Sequence, residues 1–153
     1  METQDVFLTE DGRQDIIAKL DFLRTVKRAE VAQYLHDAKE SGDVIDNAAY
    51  EDAKNEQARL EGRILELEQM LAVAKPISKV MGEVSLGSVV FLRTAEGREY
   101  QYTLVGAYEA KPSAGLISNE SPVGKALLGH KVADVVIVST PGGVKEYTIL
   151  EIR

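Results

Sequence analysis

The sequence predicts an α+β chain: a long antiparallel α-helical coiled-coil hairpin, then a small antiparallel sheet domain with one helix. Three observations predict it. Tyr50, Ala53, Leu60, Ile64, Leu67, Leu71 and Ala74 recur in steps of three and four, with Gln57 the polar member of the series. That spacing is the a/d seam of a coiled coil. A second stripe, Ile16, Leu20, Leu23, Val31, Leu35 and Ala38, lies upstream across the polar break Ser41-Gly42-Asp43-Val44-Ile45-Asp46-Asn47. Two amphipathic helices joined by a tight break bury their seams by folding back on each other. From Pro76 onward the helical period is gone, and short β-rich runs punctuated by glycine replace it.

Each element has a local cause. Thr9 is placed to cap the first helix, and Glu10 and Asp11 complement its dipole. The helix is expected to run to about Ser41 and to stop at Gly42, a residue suited to a left-handed C′ position. At the α-helical rise this is roughly 50 Å, with a return helix from Asn47 to Ala74 of roughly 40 Å. Lys75-Pro76 ends the return helix, because proline cannot continue it. Ser88–Arg93 and Arg98–Val105 read as strands around Ala95-Glu96-Gly97. Ser121-Pro122 opens a short helix to Leu128, with serine as N-cap and proline at N1. Val132–Val138 and Lys145–Ile152 read as strands joined across Thr140-Pro141-Gly142-Gly143. The domains are accordingly placed at 1–77 and 78–153.

Composition narrows the function. The absence of cysteine removes disulfides, thiolate metal sites and cysteine nucleophiles. No apolar run approaches a membrane span and the N-terminus lacks a basic leader, which predicts a cytoplasmic protein. Nearly all of the net charge of −7 falls in the first half of the chain. The acidic break does not suit duplex nucleic acid, whose binding needs clustered Lys and Arg, but it suits a hard cation. No G-x-S-x-G, P-loop or H-E-x-x-H is present, which argues against a self-contained hydrolase. His36 and His130 stand beside no serine or carboxylate motif and read as surface residues.

Gly42-Asp43-Val44-Ile45-Asp46-Asn47-Ala48-Ala49-Tyr50 resembles the tip pattern Gly-Asp-Leu-Ser-Glu-Asn-Ala-Glu-Tyr of the GreA/GreB family of bacterial transcript cleavage factors. The resemblance continues through Ala53-Lys54, Glu56-Gln57 and Glu61-Gly62-Arg63-Ile64. It resumes at Ile117-Ser118, Ser121–Gly129 and Thr140–Gly143. It implies a coiled-coil hairpin followed by an FKBP-like domain that binds RNA polymerase. The hairpin enters the polymerase secondary channel, and its acidic tip helps the polymerase's own active centre hydrolyse the 3′ segment of backtracked RNA. The protein is then an accessory factor rather than an enzyme.

Asp43 and Asp46 are the expected catalytic-assisting and metal-ligating pair, sharing Mg2+ with the polymerase. Two metals suit phosphodiester hydrolysis, and magnesium is commonly held by one or two carboxylates while other ligands come from elsewhere. Among the departures from the family pattern, Asp46 replaces its glutamate, Ile45 its serine and Ala49 its later glutamate. Some homologues with altered tips inhibit polymerase, and that is the alternative reading. The plain alternative for both aspartates is helix capping.

Lys39 and Lys54 flank the tip as candidate polymerase or RNA contacts. Arg24, Lys27, Arg28, Arg59 and Arg63 form a basic cluster for the same role, against a solvated face neutralised by Asp21, Glu30, Glu56 and Glu66. The partners expected are RNA polymerase and the 3′ end of the nascent RNA. Because the two seams satisfy each other within one chain, the free protein is expected to be monomeric. A peptidyl-prolyl isomerase and a plain oligomerisation coil are the remaining readings. The first is disfavoured by scattered tyrosines and a single Phe91 in the second half, the second by the mutually satisfied seams.

Overall fold

The computed structural model describes residues 5–40 and 48–153. Contacts divide the chain into two compact units, one of residues 13–73 and the other of 74–153 together with the N-terminal residues through Gly12. The units meet in the chain at Val73–Ala74, short of the boundary expected at residue 77, because Lys75 and Pro76 pair inside the second unit.

In the first unit, α1 (Glu10–Phe22), which begins in the second unit, gives way to a π-helical turn (Leu23–Lys27). α2 (Arg28–Glu40) follows, and α3 (Ala48–Val73) returns. The expectation of one continuous α-helix is corrected at Leu23–Lys27. Leu23 and Val31 lie one residue further apart than a heptad, and a π turn absorbs that extra residue while keeping both stripes on one face. Thr25 assists, its hydroxyl donating to the Asp21 carbonyl at 2.7 Å.

The α3 seam lies where the pattern put it. Ala53, Ile64 and Leu67 are buried, and Tyr50, Leu60 and Leu71 are half-buried. Across the seam, Arg24 faces Glu68, Arg28 faces Glu61 and Tyr34 faces Asp52. Numbers rising on one strand of the hairpin meet numbers falling on the other, so the packing is antiparallel. The expected helix end at Ser41-Gly42, the aspartates Asp43 and Asp46, Ile45, and the Asn47 start all lie outside the described residues.

The second unit is a five-stranded sheet with order β5-β4-β3-β7-β6. Its strands are β3 (Val89–Thr94), β4 (Glu99–Val105), β5 (Leu116–Ser118), β6 (Val135–Thr140) and β7 (Gly143–Ile152). All neighbours are antiparallel except β4 and β5, which run parallel. Helix α4 (Pro122–Leu127) packs towards β5 and β6. The core face gathers Val90, Leu92, Leu104, Leu127, Val136, Val138, Tyr147 and Ile149, each at most 5% exposed. Two short strands, β1 (Phe7–Leu8) and β2 (Lys75–Pro76), pair in parallel as a separate two-stranded sheet.

Two side-chain caps explain where α1 and α4 begin. Thr9 caps α1, its Oγ1 accepting from the Gly12 amide at 3.0 Å. Thr9 is itself held by Glu109, whose carboxylate accepts from the Thr9 amide at 2.8 Å and from its hydroxyl. A carboxylate at a helix N-terminus also complements the dipole. Ser121 caps α4, accepting from the Gly124 amide at 3.1 Å while donating to the Ser118 carbonyl at 2.7 Å. Gly124 is required there, since a Cβ would stand 2.0 Å from the Ser118 carbonyl oxygen.

Candidate functional site of the hairpin

α2 ends at Glu40 and α3 begins at Ala48, so Asp43 and Asp46 fall in the chain between the two helix ends and outside the described residues. The antiparallel packing of α2 on α3 brings the flanks of that connection together. Lys39 is exposed in the last turn of α2. Lys54 extends along α3 with its ammonium 5.0 Å from the centroid of the Tyr50 ring. A cation over an aromatic face is attracted by the ring quadrupole, which gives Lys54 a preferred direction.

Beside these flanks lies a clasp that the sequence reading missed. The Tyr34 hydroxyl donates to Asp52 Oδ2 at 3.0 Å, joining the two helices. Asp52 raises the Tyr34 pKa above its ordinary value, chiefly through this hydrogen bond to the neutral phenol. The signal was faint: Tyr34 and Asp52 stand equally far in sequence from Asp43, on helices already expected to face each other.

Every member of the basic cluster has an acidic partner. Arg28 makes a two-pronged contact with Glu61, both bonds at 2.8 Å, and Arg24 crosses to Glu68. Lys27 pairs with Glu30 at 2.8 Å, Arg63 with Glu66 at 2.7 Å, and Arg59 with Glu56. The neutralising acids expected from sequence include Glu30, Glu56 and Glu66. Asp21 is instead engaged through its backbone, and Glu61 and Glu68 supply the cross-helix pairs.

The Arg28 hydrogen bond holds the Glu61 carboxyl below its ordinary value, and Glu61 in turn raises Arg28. Between the helices, Leu23, Val31 and Leu60 floor an open groove of about 470 Å³, rimmed by Lys27, Arg59 and Arg63. The arrangement provides an apolar floor with cations that acids restrain but do not bury.

Among the described residues no group of three or more His, Cys, Asp or Glu is placed to hold a metal ion. His130 Nδ1 lies 3.1 Å from Asp134 Oδ2, while His36 is exposed on α2. The Lys131 amide and, next, His130 hold Asp134 below its ordinary value. No helix among the described residues is long and apolar enough to cross a membrane.

Comparison with known proteins reaches both units. The family model "Transcription elongation factor, N-terminal" matches residues 6–75, and "Transcription elongation factor, GreA/GreB, C-term" matches 78–153. The transcription elongation factor GreA of Roseiflexus castenholzii is 47% identical, with the whole of each chain covered. That of Acetivibrio thermocellus is 48% identical, covering 98% of this chain and 97% of its own. Among solved structures, the GreA factor homolog 1 protein of Thermus thermophilus is 37% identical, covering 98% of this chain and 99% of its own, at a TM-score of 0.44. With both family models in register along nearly the full length, the chain belongs to the GreA/GreB family of transcription elongation factors.

Proposed function

We propose that this protein is an accessory elongation factor for RNA polymerase, presenting Asp43 and Asp46 to the polymerase active centre to stimulate cleavage of backtracked RNA. The observation that carries the reading is the family match over both units, joined to an antiparallel hairpin whose helix ends bracket the two aspartates. Two carboxylates are too few for a tight site of their own, and that donor set fits an ion whose other ligands the polymerase supplies. Magnesium in such a shared site would stabilise charge on the phosphodiester and lower the pKa of the attacking water. The role of this chain is to deliver and orient the carboxylates.

Lys39 and Lys54 supply the nearest cations for polymerase or the RNA 3′ end. Arg24, Lys27, Arg28, Arg59 and Arg63 supply a second bank further along the hairpin. Binding RNA there requires exchanging a glutamate for a phosphate, which keeps the contact adjustable and salt-dependent. The second unit carries most of the affinity for polymerase. The segment from Ser121 to Gly129 and the turn from Thr140 to Gly143 are the first places to substitute, since loops on a rigid scaffold carry recognition.

The test adds the full chain to a stalled, backtracked elongation complex with 3′-labelled RNA. Release of a short 3′ fragment is expected. Asp43→Asn should abolish it with polymerase binding retained, because charge is lost and shape is not. Asp46→Glu, which restores the reach of the family's glutamate, should maintain or raise it. A wild-type chain that slows elongation without shortening the RNA would overturn the proposal in favour of inhibition. An Asp43→Asn protein as active as wild type would reduce the aspartates to helix caps.

A further inference from the structure

The hairpin seam changes character along its length. Away from the connection between α2 and α3 it is filled by branched side chains: Ile16 and Leu20 on α1 and Ile64 and Leu67 on α3 are each at most 2% exposed. Towards the connection the excluded residues are Ala38 and Ala53, Gln57 is exposed, and Leu35 and Tyr50 are only half-buried. Alanine buries little apolar area and offers no knob to seat in a facing hole. Such a seam lets the two backbones approach closely but does little to stop one helix sliding along the other. Register at this end needs a second source.

Polar contacts between the helices step towards the connection as Arg24–Glu68, Arg28–Glu61 and Tyr34–Asp52. Of these three, Tyr34–Asp52 stands nearest to it, about 9 Å along α2 from Glu40 and about 6 Å along α3 from Ala48. The other two pairs join long, flexible side chains, whereas a tyrosine ring is rigid and turns about only two torsions. Tyr34 lines the groove floored by Val31 and Leu60, so the ring aims its hydroxyl across to Asp52 Oδ2 at 3.0 Å. A bond to a carboxylate is stronger than one between neutral groups. The raised pKa of Tyr34 keeps the phenol protonated and therefore a donor.

We infer that Tyr34 and Asp52 are positioning residues: their clasp fixes the register of the α2 and α3 ends, and with it the point to which Asp43 and Asp46 are delivered. The inference rests on the proposed cleavage function and assigns neither residue a contact with RNA or metal. Reaction rate depends on placement far more steeply than folding does. An error of about 1 Å in a reacting geometry can cost roughly 100-fold in rate. One exposed hydrogen bond, by contrast, contributes little to stability. Loss of the clasp therefore lowers the cleavage rate and hardly moves the melting temperature.

The experiment uses the full chain carrying Tyr34→Phe, which removes only the hydroxyl and leaves the ring in the groove, and carrying Asp52→Ala, Asp52→Asn or Tyr34→Phe with Asp52→Ala. In the backtracked-complex assay, Tyr34→Phe and Asp52→Ala should each lower the maximal cleavage rate at least about fivefold, with the half-saturating concentration unchanged. Asp52→Asn keeps an oxygen acceptor in place and should restore most of the rate. The double variant should be no slower than the slower single one, because both changes remove the same contact. Melting temperatures should stay within about 2 °C of wild type. Because the chain has no cysteine, nitroxide labels on Glu40→Cys and Glu51→Cys, both exposed beside the connection, read the register directly. Tyr34→Phe should broaden or displace the distance between them. This arm needs no cleavage: a wild type that fails to cleave would overturn the proposed function, and the label distances would still decide the clasp. An unchanged label distance, a folded Tyr34→Phe that cleaves at the wild-type rate, additive losses in the double variant, or Asp52→Asn as slow as Asp52→Ala would each overturn the inference.

Discussion

The two units bury their apolar residues in different ways. In the sheet unit, residues from β3, β4, α4, β6 and β7 close around a core whose central members Val90, Leu92, Leu104 and Leu127 are fully excluded from solvent. In the hairpin the contact is a single seam between two helices. Ala53 and Leu67 are excluded, but Leu23, Val31, Leu35 and Leu60 are only half-covered, and ion pairs line both margins. A two-helix seam has no third layer to cover it, so its middle stays open and its borders stay charged. Stability is concentrated in the sheet, and the hairpin is free to carry charge and grooves where a compact core would not tolerate them.

Truncation in the sheet core should show this most strongly. Leu104→Ala is expected to cost about 2–5 kcal/mol, read as a lower urea midpoint at unchanged slope. Leu60→Ala, in the open groove, should cost about 1 kcal/mol, since water already reaches that side chain. Equal losses at the two positions would break the comparison and show that the seam is as tightly packed as the core. Gly124→Ala follows closely behind Leu104→Ala. The added methyl meets the Ser118 carbonyl oxygen, whose position the Ser121 hydroxyl also fixes, and a loss of about 1–3 kcal/mol is expected from thermal unfolding.

What the sequence made legible follows the range of the forces involved. Thr9 and Ser121 were readable as caps because a cap is decided within three residues, and both hydroxyls accept the bonds expected of them. The α3 seam was readable because its period is long. The π turn left a trace, the overlong step from Leu23 to Val31, but that trace acquires meaning only once the opposing helix fixes the face. β1, β2 and β5 are too short for any periodic signal and exist because distant backbone completes them. The same holds for the site. The cationic cluster was visible residue by residue, whereas its partners Glu61 and Glu68 and the Tyr34–Asp52 clasp depend on the register between helices.

A smaller effect is expected at the cap of α4. Ser121→Ala removes the acceptor for the Gly124 amide and the donor to the Ser118 carbonyl, and should cost about 1 kcal/mol. Ser121→Asp keeps an acceptor at the helix start and should recover most of the loss. If alanine proves as stable as serine, the helix is held by the packing of Leu127 alone, and the sheet unit depends even less on local bonds than the comparison implies.

The smallest effect belongs to the hairpin margin. Because Arg28 holds the Glu61 carboxyl below its ordinary value of 4.5, the charged form is favoured by folding. Its contribution is therefore complete above that value and is lost as pH falls through the lower value in the folded protein. Glu61 is exposed, so the contribution is screened and small. Wild type should melt slightly above Glu61→Gln at about pH 7, and the two midpoints should draw together as the carboxylate is protonated at acid pH or in roughly 1 M salt. A difference that survives both treatments would mean that Glu61 supports the hairpin by packing against the Arg28 stem. The margin would then be part of the seam, and the contrast between the two units would narrow.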